Sequence, residues 1–185
     1  MRDRRIDLIE AGLEILREEG LAGFAQAKVA ARANLKQGHL TYYFPTRTAL
    51  LAAVARVAID RQLAAAEQMI SASKNPLDAV RIIATVIGGH ENTRLLVALN
   101  QAADQEDELR ALFNELTDGF CGQLKVMLSR FGLLATEASV DLIHAMFVGL
   151  SVIDLATSRP RGEERSSAAL TLAFQLLGSA RPDAG

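Results

Sequence analysis

The sequence predicts an all-α chain of about nine helices, with a helix-turn-helix head at 1–46 and a longer helical body at 47–185. Three observations carry that prediction. Apolar residues recur at spacings of three and four through most of the chain, the period of a helix with one buried face. Turn signals (Gly20, Asn34, Phe44-Pro45, Asn75-Pro76, Gly88-Gly89 and Gly132) fall between the periodic segments. The stretch QAKVAARANLKQGHLTYYFPTR, Gln26 to Arg47, divides at Asn34 into two short helices joined by a tight turn, the helix-turn-helix shape.

Residues 3–19 form the first helix, with Ile6, Ile9, Leu13 and Leu16 on one face and Asp7, Glu10, Glu14 and Glu18 opposite. Gly20 stops it. Its centre is scaffold. Arg2, Arg4 and Arg5 are placed to reach a nucleic-acid backbone, although charges at a terminus are commonly just solvated.

In the second helix, Ala27, Val29, Ala30 and Ala33 put small apolar residues on one side. Asn34 is one of the few residues that enters the left-handed conformation a tight inter-helix turn requires. Leu35 follows as a buried plug, and Lys36 to Tyr43 make the third helix. Gly38 leaves room there for a neighbouring helix or a phosphate. Pro45 ends the unit, because proline disfavours helical geometry in the residue before it.

Thr46 is a suitable N-cap for a long helix over 47–72, whose stripe is Leu50, Leu51, Val54, Val57, Ala58 and Leu63. This helix is the natural mechanical link between head and body. SASKNP is a turn, and helices follow at 77–88 and 91–102. The four acids within Asp104 to Glu108 read as favourable charge at the start of the next helix rather than as a metal site. That helix, 105–131, carries a stripe from Leu109 to Phe131.

The last two helices, 136–157 and 163–178, are apolar on nearly every face and must be buried on both sides. So small a body covers one side only. The sequence therefore predicts a homodimer through a four-helix interface, with Ile143, Phe147, Leu150, Leu170, Phe174 and Leu177 at the seam. SRPRGEER is the exposed loop between the pair, and SARPDAG a frayed tail.

Charge points to a polyanionic partner. Gly20 to Ile59 contains no Asp or Glu but holds Lys28, Arg32, Lys36, Arg47 and Arg56. Residues 1–50 have eight basic and six acidic side chains, hence +2; residues 51–185 have twelve and sixteen, hence −4. The expected contacts to double-stranded DNA place Gln37, His39 and Tyr42 nearest the bases, with Lys28, Tyr43 and Arg47 mainly on phosphates. Lys36, Gly38 and Thr41 complete the face. The competing reading is an ordinary amphipathic hairpin with tyrosines at its surface.

Other chemistries lack a constellation. There is no phosphate-binding glycine loop, nucleophile elbow or dinucleotide fingerprint, so neither an enzyme nor a cofactor is expected. His39, His90 and His144 fall in different helices or junctions, and no zinc-ligand cluster is seen. His144 reads as a core histidine and Cys121 as a small packing residue. Capping and solvation account for His90, Glu91, Asn92 and Arg94, with ligand sensing as the alternative. A single cysteine, no signal-peptide pattern and no uninterrupted apolar run of about 20 residues suggest a cytoplasmic protein without a membrane partner. Phe113, Phe120 and Met127 are candidates to line an effector cavity, with Asn92, Asn100, Gln101 and Asn114 as polar groups near its walls. They suit a mostly apolar ligand; a solid core is the alternative.

The head resembles the DNA-binding domain of the tetracycline-repressor (TetR) family. The likeness is carried by Ala11, Gly20, Val29-Ala30, Ala33, Gly38, Leu40, Tyr43-Phe44 and Leu50, and covers about the first third of the chain. Asn34 stands where the family usually has Gly, Lys36 where it has Ser, Ala25 where a Thr caps the second helix, and Arg47 where it has Lys. Thr41 takes the place of a common phosphate-contacting Tyr, with Tyr42 beside it. The resemblance implies a transcriptional regulator, more often a repressor than an activator, released from its operator by a small-molecule effector. The same two last helices would form the dimer. The operator would be a near-palindrome with half-sites about 34 Å or a multiple apart. A helical ligand-binding or interaction module that never touches DNA is the alternative from another class.

Overall fold

The computed structural model describes residues 3–157 and 160–179. Among these are nine α-helices and no strand: α1 Arg4–Glu19, α2 Gln26–Arg32, α3 Gln37–Tyr43, α4 Arg47–Ala72, α5 Pro76–Ile87, α6 His90–Gln105, α7 Asp107–Arg130, α8 Glu137–Thr157 and α9 Gly162–Ser179. A 3-10 turn, Leu21–Gly23, lies between α1 and α2. Arg2, the first two residues of the expected SRPRGEER loop, and the tail beyond Ser179 lie outside the described residues.

Helix ends follow from local chemistry. Asp3 caps α1, accepting from the Arg5 amide at 2.9 Å, and Gly20 ends it with φ 70°. The Thr46 hydroxyl accepts from the Ala49 amide at 3.0 Å, as an N-cap should. Asn75 caps α5 ahead of Pro76. Gly132 ends α7 with φ 69°, where the Leu133 amide donates to Leu128 O at 2.9 Å.

The chain packs as two compact units, Met1–Gln62 with Arg94–Leu116, and Leu63–Thr93 with Thr117–Gly185. In the first, Leu8, Leu13, Ile15 and Leu16 of α1 meet Val29, Ala30, Leu40, Phe44, Leu50 and Val54, and Leu95, Leu99 and Leu109 close the core. Helices α1 and α4 approach so closely at Gly12 that a Cβ there would lie 2.6 Å from Val54 Cγ2. Arg61 grips Glu10 through both terminal guanidinium nitrogens, Nη1 and Nη2, which holds the Glu10 carboxyl below its usual range. Arg94 donates to Arg17 O at 2.6 Å.

The core of the second unit joins Val80 and Ile87 of α5, Leu124, Met127 and Leu128 of α7, Val140 and Ile143 of α8, and Leu170, Phe174 and Leu177 of α9. Arg130 donates to Ile70 O, Ser73 O and Ser73 Oγ at 2.6, 2.7 and 2.8 Å, satisfying carbonyls at the end of α4.

The expected seam residues divide. Ile143, Leu170, Phe174 and Leu177 are buried inside their own protomer, and Phe147 and Leu150 are half-buried. Those four therefore pack within the core of the second unit. The large apolar residues left exposed on α8 and α9 are Leu142, Val148, Val152, Ile153, Leu172 and Leu176. Helix α8 is also long and apolar enough to cross a membrane by length and composition. A count of uninterrupted apolar runs misses this, because Asp141 and Asp154 break the run without ending the helix.

Candidate nucleic-acid interface

The turn between α2 and α3 has the geometry the sequence called for. Asn34 sits at φ 55°; its amide donates to Ala31 O at 3.0 Å, and the Leu35 amide to Ala30 O at 2.9 Å. This paired closure satisfies the last carbonyls of α2 and turns the chain sharply. Leu35 is half-buried against the core rather than fully inserted. Ala25 gives α2 no side-chain cap.

Only Leu40 of α3 is buried, at 0% exposure, so the helix is pinned at one point with its other sides open. Lys36, Gln37 and His39 are exposed, and their side chains have no hydrogen bond or ion pair among the described residues. A Cβ on Gly38 would meet nothing within 4 Å, so no neighbouring helix requires glycine there. Tyr42 is 82% exposed and packs edge-on against Tyr43, with ring centroids 5.2 Å apart. The Thr41 hydroxyl turns back to Gln37 O and Gly38 O, both at 3.2 Å. The Gln26 side chain donates from Nε2 to Phe44 O at 3.0 Å, tying the start of α2 to the end of α3, and Arg5 lies 5.5 Å over the Phe44 ring.

The cations of the acid-free window are less free than the sequence suggested. Lys28 forms an ion pair with Glu19. Arg32 lies 2.9 Å from Glu18 and 3.4 Å from Glu14, and these carboxylates raise its pKa. Arg56 pairs with Glu115. Arg47 donates from Nε to Phe24 O at 3.0 Å and reaches Leu21 O at 3.5 Å. These partners come from α1, the 3-10 turn and α7, and no window of local charge reveals them.

The expected effector residues do not collect in one unit. Asn100, Gln101 and Asn114 are exposed, and Phe113 half-buried, in the first; Asn92 and Phe120 are half-buried, and Met127 buried, in the second. His90 Nε2 lies 2.9 Å from Asp154 Oδ2, a partner the capping reading did not supply. Cys121 Sγ is 3.6 Å from His144 Nδ1, and Phe120 packs on both His144 and Phe147. Burial, with Asp141 and Asp118 nearby, pushes the Cys121 thiol pKa up; burial lowers that of His144 against the pull of Asp141. Among the described residues no group of three or more His, Cys, Asp or Glu side chains is placed to hold a metal ion.

Residues 8–54 match the family described as bacterial regulatory proteins, tetR family. The chain is similar to the HTH-type transcriptional regulator BetI of Burkholderia ambifaria, 38% identical over 81 residues, 43% of this chain and 42% of that protein. It is 35% identical to BetI of Burkholderia thailandensis over 92 residues, 50% of this chain and 47% of that one. The chain thus spans less than half the length of these relatives. Among solved structures, a transcriptional regulator from Rhodococcus sp. Rha1 superposes with TM-score 0.79 at 19% identity, covering 94% of this chain and 95% of that one. The multidrug binding protein EbrR complexed with ethidium gives TM-score 0.69 at 25% identity, covering 93% and 99%.

Proposed function

We propose that this chain, whose residues 8–54 match the TetR family, is a sequence-specific DNA-binding transcriptional regulator of the cytoplasm, a repressor released by a small molecule. The observation that carries the proposal is α3, anchored by buried Leu40 and presenting Lys36, Gln37, His39 and Tyr42 to solvent. A short helix with one buried anchor and an open polar face suits entry into a major groove, whose base edges offer donors and acceptors to such side chains. Gln37, His39 and Tyr42 would read bases; Lys36 and Tyr43 would hold phosphates, and Gly38 would let the backbone approach.

A homodimer would present two such helices to a near-palindromic operator, with half-sites spaced by about 34 Å or a multiple. Leu172 and Leu176 of α9, 58% and 57% exposed, with Leu142, Val148, Val152 and Ile153 of α8, support an isologous seam. Residues 47–185 would serve as the sensing and dimerising body. Ethidium and proflavin in EbrR support an effector with a large apolar surface. An effector that favours one arrangement of the dimer over the DNA-bound one would release the operator by population shift.

Selection of operator sites from random duplex tests the reading. His39→Ala should change which sequences are selected. Lys36→Ala should weaken all of them and reduce the salt slope of binding by about 1. A full-length protein with no salt-dependent retention on any duplex would leave only a helical ligand-binding module.

A further inference from the structure

We propose that Glu19 sets the DNA affinity of this head by holding Lys28 away from phosphate, an inference that rests on the DNA-binding reading above. The last turn of α1 runs beside the exposed side of α2, where Lys28 and Arg32 are the cations. The Glu19 carboxylate is ion-paired with Lys28, and its other oxygen lies 4.0 Å from Arg32 Nη2. Lys28 has no other ion-pair partner among the described residues, whereas Arg32 is also held by Glu18 and Glu14.

Gly23 makes room for this placement. A Cβ on Gly23 would come 2.5 Å from Glu19 Cβ and 2.6 Å from Glu19 Oε2, so any larger residue would clash with the root of this side chain as well as its carboxylate and force the backbone to shift. Arg47 holds the carbonyls at the two ends of this segment, Leu21 O and Phe24 O. The carboxylate is thus seated by the backbone under it and by the two cations.

The electrostatic consequence is a sign reversal. Lys28 and Arg32 contribute +2 and Glu14, Glu18 and Glu19 contribute −3, leaving −1. The first helix of a helix-turn-helix crosses the DNA backbone, so phosphate meets cations whose charge is already more than offset by the carboxylates of α1. For Lys28 to bind phosphate it must exchange one anion for another, and the gain is smaller than for an unpaired cation such as Lys36. The side chains of Lys28 and Glu19 remain 46% and 33% exposed, so the exchange is sterically open. Because Glu19 lies on α1, away from the base-reading face of α3, it would scale affinity for all sequences alike.

The test uses the full chain and a mixed-sequence duplex titrated across salt. Glu19→Gln should bind several-fold tighter at low salt, with a slope of log affinity on log salt steeper by about 1 per head. Its ranking of selected operators should be unchanged. The Glu19→Gln/Lys28→Gln protein should bind no tighter than Lys28→Gln alone. Wild type and Glu19→Gln with equal affinity and slope, or a gain that survives loss of Lys28, would overturn the assignment while leaving DNA binding intact. If wild type and variants alike show no salt-dependent binding to duplex, the DNA-binding reading itself fails and this inference with it.

Discussion

Arg47 and Phe24 are joined twice: Nε donates to the Phe24 carbonyl oxygen at 3.0 Å, and the guanidinium carbon stands 5.7 Å over the Phe24 ring. The first residue of α4 therefore secures the segment that leads into α2. Arg47→Lys keeps the charge but lacks the Nε donor, and Arg47→Ala lacks both. Each should lower stability by about 1 kcal/mol in denaturant titrations. A residue serving only phosphate would leave the lysine variant as stable as wild type.

Asn34 holds a left-handed backbone at φ 55°. Asn34→Ala should cost about 1 kcal/mol, because a Cβ without a compensating polar group is strained there. Asn34→Gly should be neutral or slightly stabilising. The two denaturation midpoints, measured together, distinguish backbone strain from loss of a side-chain contact.

Leu172 and Ile143 separate assembly from folding. Leu172 is exposed on α9, whereas Ile143 of α8 is wholly buried. Leu172→Glu should shift sedimentation towards monomer with little change in protomer folding. Ile143→Glu should unfold the protomer, since an unpaired buried charge costs several kcal/mol. Undiminished dimer in the Leu172 variant would move the seam elsewhere.

His144 and Cys121 give opposite pH limits. Burial lowers the His144 pKa below 6.5, so the folded state binds its proton less readily than the unfolded chain does. The stability this neutral imidazole contributes is complete above pH 6.5 and falls as pH drops towards the lowered value. His144→Gln should flatten the acid limb of stability measured against pH. Burial also raises the Cys121 pKa above 9.0, so the native thiol stays protonated near neutrality. Alkylation of native Cys121 at pH 7.5 should be slower than that of the unfolded chain.

Helix boundaries were legible because their determinants are local. Gly20, Asn34, Thr46 and Gly132 end or begin helices through bonds spanning five residues or fewer, and a sequence window contains them. The anchor of α3 was less legible: the sequence points to Leu35 as the buried plug, whereas Leu40, the one strong apolar side chain between polar neighbours, is the residue that is fully buried. Partners distant along the chain were not legible. Lys28 meets Glu19 and Arg56 meets Glu115 only after tertiary packing, so an acid-free window overstated the available positive charge. Which side of α8 and α9 faces inward was also hidden, because an all-round apolar helix lacks the periodic contrast that marks a buried face. Ile143 and Leu142 are adjacent and equally apolar, yet one is buried and the other exposed.

The core of the first unit contains Leu95, Ala98, Leu99, Ala102 and Leu109, which belong to α6 and α7, far along the chain from α1. A single recombination after residue 46 or 62 would leave these residues behind. The transplanted head would then expose Leu8, Leu16 and Leu50 with part of their packing missing. On the DNA-binding reading proposed above, exchange of specificity requires two segments to travel together, Met1–Gln62 and Arg94–Leu116, joined at three places. A laboratory graft should be cut at those same three places, and a lineage that gains a new operator by single crossover must first rebuild the core beneath it.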